Sequence, residues 1–229
     1  MQTDRKLSAA GSARIAARLA DAIHEHRLKP GMKLSEDEVG SIYGVSRTVV
    51  RAALQQLAHV HLVSLKRNRG AFVAQPGPRE AREVFEARAL LEPRLARYAA
   101  ERATAEDVAM LKTHIEAEHA ALADGDSSRA LQLSGHFHIE IARIADHATI
   151  AEFVAQLVSR SSLIIALYWQ RRAALCESHA HDALLRALAD QDAPQAEALM
   201  KSHLLDLLSS LDLREQVAPP LSLAEALQT

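Results

Sequence analysis

The sequence predicts a mostly α-helical protein in two parts, with one small β-hairpin at the end of the first part. Its 229 residues are 48% hydrophobic but only 3% aromatic, a composition that favours helices over sheets. Apolar residues recur at helical spacing along most of the chain. Residues 74–78, Ala-Gln-Pro-Gly-Pro, interrupt this pattern and mark a boundary between the two parts.

The first part, residues 1–75, begins with two predicted helices. An amphipathic helix is predicted from about residue 12 to residue 26, because apolar residues recur every four positions at Ile15, Leu19 and Ile23. Ser35 followed by Glu38 has the form of a capping box, which predicts a short helix over 36–43.

A third helix and a hairpin complete the first part. Gly44 and Val45 form a tight turn, after which Ser46 is expected to cap the third helix. The buried face of that helix carries Val50, Ala53 or Leu54, and Leu57. Two short strands are predicted over 62–66 and 71–74, joined by a loop in which Gly70 suits a positive φ.

The second part is predicted to be an all-helical bundle over residues 79–213, preceded by a linker at 76–78 and followed by an irregular tail at 214–229. The predicted helices cover residues 79–102, 105–123, 127–146, 148–170, 178–190 and 193–212.

Charge is distributed unevenly between the two parts. Residues 1–75 carry 12 basic and 6 acidic side chains, whereas residues 76–229 carry 15 basic and 23 acidic ones. A basic first third joined to an acidic remainder indicates a nucleic-acid-binding module attached to a domain with another role. The alternative is a chance imbalance, since both parts carry mixed charge.

The sequence also narrows the cellular setting. No apolar run is judged long enough to span a bilayer, and the N-terminus lacks the apolar centre of a signal peptide. The single cysteine, Cys176, excludes an internal disulfide framework. We therefore expect a cytoplasmic protein that does not bind membranes and joins the nucleoid when it is bound to DNA.

Helix, turn, helix and a two-stranded wing form the winged helix-turn-helix arrangement, in which the third helix enters the major groove of DNA. Arg47, Thr48 and Arg51 share one exposed flank of that helix. Arginine makes bidentate contacts with guanine and phosphate. The wing loop adds further cations at Arg67 and Arg69. The alternative is a solvated basic helix on a protein-binding module.

Residues 12–75 resemble the DNA-binding domain of the GntR family of bacterial transcription regulators. The matching run is LKPGMKLSEDEVGSIYGVSRTVVRAALQQL, followed by LVSLKRNRGAFV. The resemblance implies DNA contacts from the start of the third helix and from the wing, at Ser46, Arg47, Thr48, Arg51, Arg67, Asn68, Arg69 and Gly70.

The chain departs from the GntR pattern at three positions. Asp37 stands where the family often has arginine, Val49 stands where it usually has proline, and His61 stands where it usually has glycine. Because glycine suits a left-handed helix end, His61 is expected to be strained. His59 and His61 are either a pH-sensitive or metal-linked pair or ordinary surface residues.

Three histidines of the second part are placed to meet. His181 lies 11 residues before Asp192, at the predicted turn, and His203 lies 11 residues after it. In an antiparallel helix pair the two imidazoles are therefore at one level. His138, one turn after Ser134, lies on another helix. Imidazoles bind zinc and nickel, but with 12 histidines in the chain a coincidental set is the alternative.

Residues 80–213 resemble the FCD ligand-binding domain of the FadR subfamily, through EVFEARALLEPRLARYAAERAT, FHIEIARIAD and HDALLRALADQDAPQAEALMKSHLLDL. The resemblance implies a divalent metal, zinc in the first place with nickel or manganese as alternatives, held by His138, His181 and His203. Ser134 replaces the aspartate that is usual in the family. We expect this neutral triad to leave the metal charge uncompensated and so to favour an anionic effector.

The effector is expected to contact Arg88, Ser134 and Arg160. The resemblance places Arg88 at a position that often faces the cavity, and Arg160 opens a largely apolar helix. Each arginine either binds a carboxylate in the cavity or pairs with a nearby glutamate.

These features predict a ligand-responsive transcription regulator, a repressor, that binds a palindromic operator in double-stranded DNA as a homodimer and senses a small organic acid. It is not expected to be an enzyme. One alternative is a metal-dependent hydrolase using the three histidines, although no carboxylate is predicted at a general-base position and Glu140 faces away. The other is a DNA-binding protein without an effector.

Overall fold

The computed structural model describes the backbone of residues 2–169 and 174–214 and the side chains of residues 11–169 and 179–214. The side chain of Cys176 and the predicted tail beyond Arg214 lie outside these ranges. The described residues form nine helices and three short strands, in agreement with the predicted fold class. In chain order they are α1 (Gln2–His24), β1 (Lys33–Leu34), α2 (Glu36–Tyr43), α3 (Arg47–His59), β2 (Val63–Lys66), β3 (Gly70–Val73), α4 (Pro78–Arg102), α5 (Ala105–Ala123), α6 (Ser127–Ile144), α7 (Ala148–Tyr168), α8 (Ala174–Ala189) and α9 (Ala193–Ser209).

Helices α1 to α3 and the sheet share one hydrophobic core. Its central members are the fully buried Ile15, Ile23, Val50, Ala53 and Leu54. Ser35 caps α2 by accepting a hydrogen bond from the backbone N–H of Glu38, and Gly44 ends it at φ 63°. Ser46 stands at the N-cap of α3, but its side chain makes no capping hydrogen bond, contrary to expectation.

The predicted hairpin supplies two strands of a three-stranded antiparallel sheet with the order β1-β3-β2. Strand β1 was not predicted, because its two residues are too few for an alternating pattern. It is held by the pairing of Lys33 with Phe72. Asn68 and Gly70 take positive φ values of 57° and 94° in the loop between β2 and β3. The sheet thus projects that loop as a wing.

Helix α4 is the centre of the second part and packs on α6, α7 and α9. It begins at Pro78, whose missing N–H costs nothing at a helix start. A capping box between Thr104 and Asp107 begins α5. The core of this bundle includes the fully buried Phe85, Leu95, Leu111, Phe137, Ile164 and Leu184.

Helices α7 and α9 end earlier than predicted. The chain leaves the helical conformation at Trp169, which forms an antiparallel bridge with Leu211. The Asp212 N–H donates to the Tyr168 carbonyl at 2.8 Å. This pairing replaces the last predicted helical turns.

Helix α7 connects the two cores, because its Leu163 packs in the N-terminal core whereas Val154, Val158, Ile164 and Ile165 lie in the bundle core. With 21 residues and a mean hydropathy of 1.5 it is long and apolar enough to cross a membrane, so the expectation that no stretch is long enough was wrong. In the folded chain α7 packs against α1, α4 and α6, and this packing buries part of its apolar surface.

Two histidines near the end of α1 lie at this junction. Burial lowers the pKa of His24, an effect that Asp21 opposes and that His136 of α6 and His26 reinforce. Burial also lowers the pKa of His26. The Nε2 atom of His24 and both ring nitrogens of His26 are buried without a hydrogen-bond partner among the described residues. The junction therefore favours neutral imidazoles.

We expect His61→Gly to raise the free energy of unfolding. His61 follows α3 with φ 60°, a left-handed conformation that costs a residue with a Cβ about 1–2 kcal/mol. The greater freedom of glycine in the unfolded chain offsets part of the gain, which leaves about 0.5–1 kcal/mol. Urea unfolding measures the change. His59→Gly, within α3, should have the opposite sign, and a lower stability of His61→Gly would contradict the account.

Stability should fall as the pH drops below about 6.5, in part through His24. Because folding lowers the pKa of His24 from 6.5, the unfolded chain binds more protons below that value and acid favours unfolding. Unfolding in urea at about pH 7.5 and about pH 5.5 should therefore show a smaller loss for His24→Gln than for the wild type. His59→Gln, at an exposed site, is the control, and equal losses in all three proteins would refute the assignment.

Candidate nucleic-acid interface and metal centre

The start of α3 presents a polar flank to solvent. Ser46, Arg47, Thr48 and Arg51 are exposed, and the side chains of Arg47 and Arg51 are 70% and 62% accessible. The opposite face is fixed by the buried Val50, Ala53, Leu54 and Leu57. Val49, at the family's proline position, continues the helix. The hydrophobic face of α3 therefore orients its cations away from the core.

Both arginines are paired with carboxylates of α2. Arg51 donates to both carboxylate oxygens of Glu36, at 2.9 and 2.7 Å. This hydrogen bonding lowers the pKa of Glu36 and raises that of Arg51. Arg47 pairs with Asp37, the residue that replaces the family's arginine. Such exposed pairs are weak, so a phosphate can displace the carboxylates.

The wing supplies a second exposed polar surface on the same unit. Arg67, Asn68, Arg69 and Gly70 are all exposed. The ammonium group of Lys66 lies 5.0 Å from the ring centroid of Phe72, which anchors one cation at the base of the loop. The predicted DNA-contacting residues of α3 and the wing are therefore all accessible.

The three predicted histidines meet inside the bundle. His138 of α6, His181 of α8 and His203 of α9 are buried, and one ligand atom from each lies within 4.8 Å of the others. The Nε2 atoms of His138 and His203 are 3.3 Å apart. His136 and His179, two residues from predicted ligands, are exposed. The helical spacing therefore directs only one histidine of each pair into the bundle.

A buried glutamate orients His138. The Nδ1 atom of His138 lies 2.6 Å from the Glu92 carboxylate, and because a carboxylate only accepts, Nδ1 carries the proton. Burial lowers the pKa of His138 to about 4, although Glu92 opposes the shift. The imidazole is therefore neutral, with its Nε2 lone pair free to bind a metal.

Arg88 keeps Glu92 ionised. Burial alone raises the pKa of Glu92, but the Arg88 guanidinium and the hydrogen bond from His138 outweigh it and hold the value at about 2. The Nε atom of Arg88 donates to Glu92 at 2.5 Å, and its Nη1 donates to Ser161 at 2.8 Å. Arg88 thus makes polar contacts with both Glu92 and Ser161 inside the bundle.

A second buried glutamate orients His181. The Nδ1 atom of His181 donates to Glu118 of α5 at 2.9 Å, so that in the neutral imidazole Nε2 is the acceptor. That Nε2 atom is buried and has no hydrogen-bond partner among the described residues. Burial, reinforced by the neighbouring histidines, places the pKa of His203 well below its usual value. Three clustered imidazoles, two of them oriented by carboxylates, fit a divalent metal.

Sequence reasoning missed Glu92 and Glu118, which offset part of the metal charge that the triad was expected to leave uncompensated. The two carboxylates bring two negative charges to the centre, and Arg88 offsets one of them. Glu92 was detectable as the residue one turn after Arg88 in an otherwise apolar helix face. Glu118 carries no such signal, since α5 has charged residues around much of its circumference.

The predicted effector residues have different surroundings. Arg88, Ser134 and His138 line a small cavity of about 20 Å³, room for about one water molecule. Arg160 does not line this cavity. It donates to Glu80 at 2.7 Å, so of the two predicted roles of Arg160 the structure shows the pairing with a nearby glutamate. Glu140 pairs with Arg143 at 2.7 Å and so faces away, as predicted.

Both parts of the chain match known protein families. Residues 12–73 match the bacterial regulatory proteins of the gntR family, and residues 83–206 match the FCD domain. The chain is a GntR-family transcription regulator.

The regulator resembles named proteins over most of its length. It is 26% identical over 179 residues to the Nta operon transcriptional regulator of Aminobacter aminovorans, covering 78% of this chain and 84% of that one. It is 26% identical over 206 residues to the galactonate operon transcriptional repressor of Escherichia coli K12, covering 80% and 89%. A transcriptional regulator GntR from Rhodococcus sp. RHA1 shares its fold, with a TM-score of 0.78, 26% identity and coverage of 86% and 95%.

The matched families and relatives are regulators rather than enzymes. The geometry agrees, because Glu92 and Glu118 accept hydrogen bonds from imidazole Nδ1 atoms on the side away from the cluster. In that position they orient ligands instead of activating a water molecule. The hydrolase alternative therefore loses its chemical basis.

We expect Glu92→Gln to destabilise the regulator by about 3–5 kcal/mol, because it leaves the buried Arg88 charge unpaired. Thermal or urea unfolding measures the loss. The matched control is Glu83→Gln, which removes an exposed partner of Arg79 on the same helix and should change stability little. Equal stability of the two variants would show that the buried pair does not hold the centre together.

Proposed function

We propose that this chain is a ligand-responsive repressor that binds a near-palindromic operator as a homodimer. Residues 1–75 would contact the DNA, and residues 79–213 would dimerise and sense an organic acid beside a divalent metal. The observation that carries the proposal is the presence, in one chain, of an exposed cationic α3 and a buried cluster of three histidines. The protein would act in the cytoplasm, on the nucleoid.

DNA binding is supported by two arginines whose internal ion pairs are weak enough to be exchanged for phosphate and base contacts. Arg47 and Arg51 are exposed, and their carboxylate partners are on α2, the helix that crosses the DNA backbone in this motif. The wing carries Arg67 and Arg69 to an adjacent groove. Operator contacts would come from Ser46, Arg47, Thr48, Arg51, Arg67, Asn68, Arg69 and Gly70.

Dimerisation is supported by large apolar side chains that the single chain leaves in solvent. Leu90 of α4 is 79% exposed and Phe153 of α7 is 56% exposed, and Leu205 of α9 is also exposed. A two-fold dimer that buried such residues would place two copies of α3 on two half-sites of a palindrome.

A metal in the cluster is supported by the chemistry of its residues. Three imidazole nitrogens suit zinc, with nickel and manganese as alternatives, and leave open coordination positions for water or an effector oxygen. The Nδ1–carboxylate hydrogen bonds fix the tautomers that binding requires. The unpartnered Nε2 of His181 gains a partner when the metal binds.

An anionic effector is supported by charge. With two carboxylates and one arginine near the cluster, a divalent ion leaves an excess positive charge. Ser134 and Arg88 line the cavity beside His138 and offer a hydroxyl and a cation to a carboxylate. The name of the galactonate relative refers to a carboxylic acid and to repression, which agrees with both parts of this proposal.

Arg47→Ala and Arg51→Ala should each weaken operator binding roughly 10- to 100-fold, the effect of losing a base-contacting arginine. The operator is first selected from a random duplex library, and affinity is then measured by fluorescence anisotropy at fixed salt. Lys112→Ala, at an exposed site on α5, is the control. Unchanged affinity in both arginine variants would contradict the placement of α3 on DNA.

The purified protein should contain about one divalent metal ion per chain, detected by elemental analysis, and chelation should lower its melting temperature. His203→Ala should lose the ion and the sensitivity to chelator. His136→Ala, an exposed neighbour of His138, should keep both. A metal-free protein whose melting temperature is unaffected by added zinc, nickel or manganese would refute the metal site.

A further inference from the structure

A large cleft lies between the N-terminal unit and the helical bundle, next to the candidate metal centre. Its volume is about 580 Å³, within the range of small-molecule sites. His26 and Lys29 line it from the segment that follows α1, and residues of α5, α6 and α7 line it from the bundle, Trp169 among them. The cleft is thus built by both parts of the chain.

The cleft and the small cavity beside His138 share a wall. Leu131 of α6 and Ile165 of α7 line both spaces. The small cavity, at about 20 Å³, has too little room for an organic acid. A ligand whose acid group reached the metal would therefore have to extend past Leu131 and Ile165 into the cleft.

A third residue connects the two spaces. Glu118 lines the cleft and is also the carboxylate that accepts the hydrogen bond from His181 at 2.9 Å. A ligand in the cleft would therefore contact the residue that orients one of the three histidines. Occupancy of the cleft and the geometry of the metal centre would be coupled through one side chain.

The lining specifies the chemistry of the ligand. Leu131, Ile165 and Trp169 supply an apolar surface on one side. Lys29 is exposed at the other side and forms no ion pair within the described part of the chain. His26 lines the cleft on the side of the DNA-binding unit. An anionic group would pair with Lys29, while a ring-sized apolar body packs on the bundle.

We propose that this cleft is the outer part of the effector site and binds an organic anion with an apolar body, which contacts the DNA-binding unit directly through Lys29 and His26. The inference rests on the proposed effector response and adds the ligand class and the route to the DNA-binding unit. A ligand held by both units alters their relative placement, which sets the spacing of two α3 helices on DNA.

The chain offers a direct reporter, because Trp169 in the cleft is its single tryptophan. The probe is anilinonaphthalene sulfonate, an aromatic anion whose absorption overlaps tryptophan emission. Titration into the full-length protein should quench Trp169 saturably with one probe per chain. Lys29→Glu should weaken binding at least fivefold through charge repulsion. Ala166→Phe, which adds a ring to an exposed residue of the cleft wall, should weaken it roughly 10-fold or more.

Two matched controls keep the test specific. Lys201→Glu reverses an exposed charge on α9, and Leu167→Phe adds a ring one residue beyond Ala166 at a position that does not line the cleft. Both should bind the probe as the wild type does. Absence of saturable quenching, or equal affinity in the wild type, Lys29→Glu and Ala166→Phe, would overturn the inference. The assay uses neither metal nor DNA, so its failure is distinguishable from failure of the metal site or of operator binding.

Discussion

The structure of the bundle depends on the pairing of Arg88 with Glu92 inside an otherwise apolar core. Each side chain is almost fully buried, and neither charge is tolerable there alone. Together they form a chain of hydrogen bonds from Ser161 through Arg88 and Glu92 to His138. The ion pair thereby fixes the tautomer of a histidine, and the histidine fixes where a metal can bind. These hydrogen bonds join helices α4, α6 and α7.

The two candidate sites differ in how firmly their charges are held. The Arg51–Glu36 and Arg47–Asp37 pairs are exposed and weak, so they position two cations without preventing an exchange of partners. The Arg88–Glu92–His138 chain is buried, and its members have no solvent to replace a lost partner. The exposed pairs can therefore exchange partners, whereas the buried chain of hydrogen bonds keeps one geometry.

Local sequence patterns predicted the elements well, but they could not predict every partner. Glycine at Gly44, the Ser35 cap and the period of Ile15, Leu19 and Ile23 are local signals, and the structure has the corresponding turn, cap and helix. Strand β1 has two residues and exists only through its pairing with β3, so no local pattern could show it. The early ends of α7 and α9 likewise depend on a bridge between residues far apart in sequence.

The same distinction applies to the centre. His181 and His203 lie at one level because they are equally far from the turn between two adjacent helices. That distance can be counted in the sequence, so their meeting was predictable. Glu118 and His181 are 63 residues apart and meet only in the folded bundle, so the charge of the centre was misjudged. His61 shows the converse, because a departure from a family glycine correctly indicated a left-handed residue at φ 60°.

The central claim is that three imidazoles, oriented by two buried carboxylates, hold a divalent metal inside the bundle. X-ray absorption spectroscopy of the zinc-loaded protein tests it most directly, because the fine structure identifies the ligand atoms and their distances. The account predicts three imidazole nitrogens at about 2.0–2.1 Å with light atoms completing the shell. A shell without the scattering pattern of three imidazoles, or one dominated by carboxylate oxygens, would contradict it.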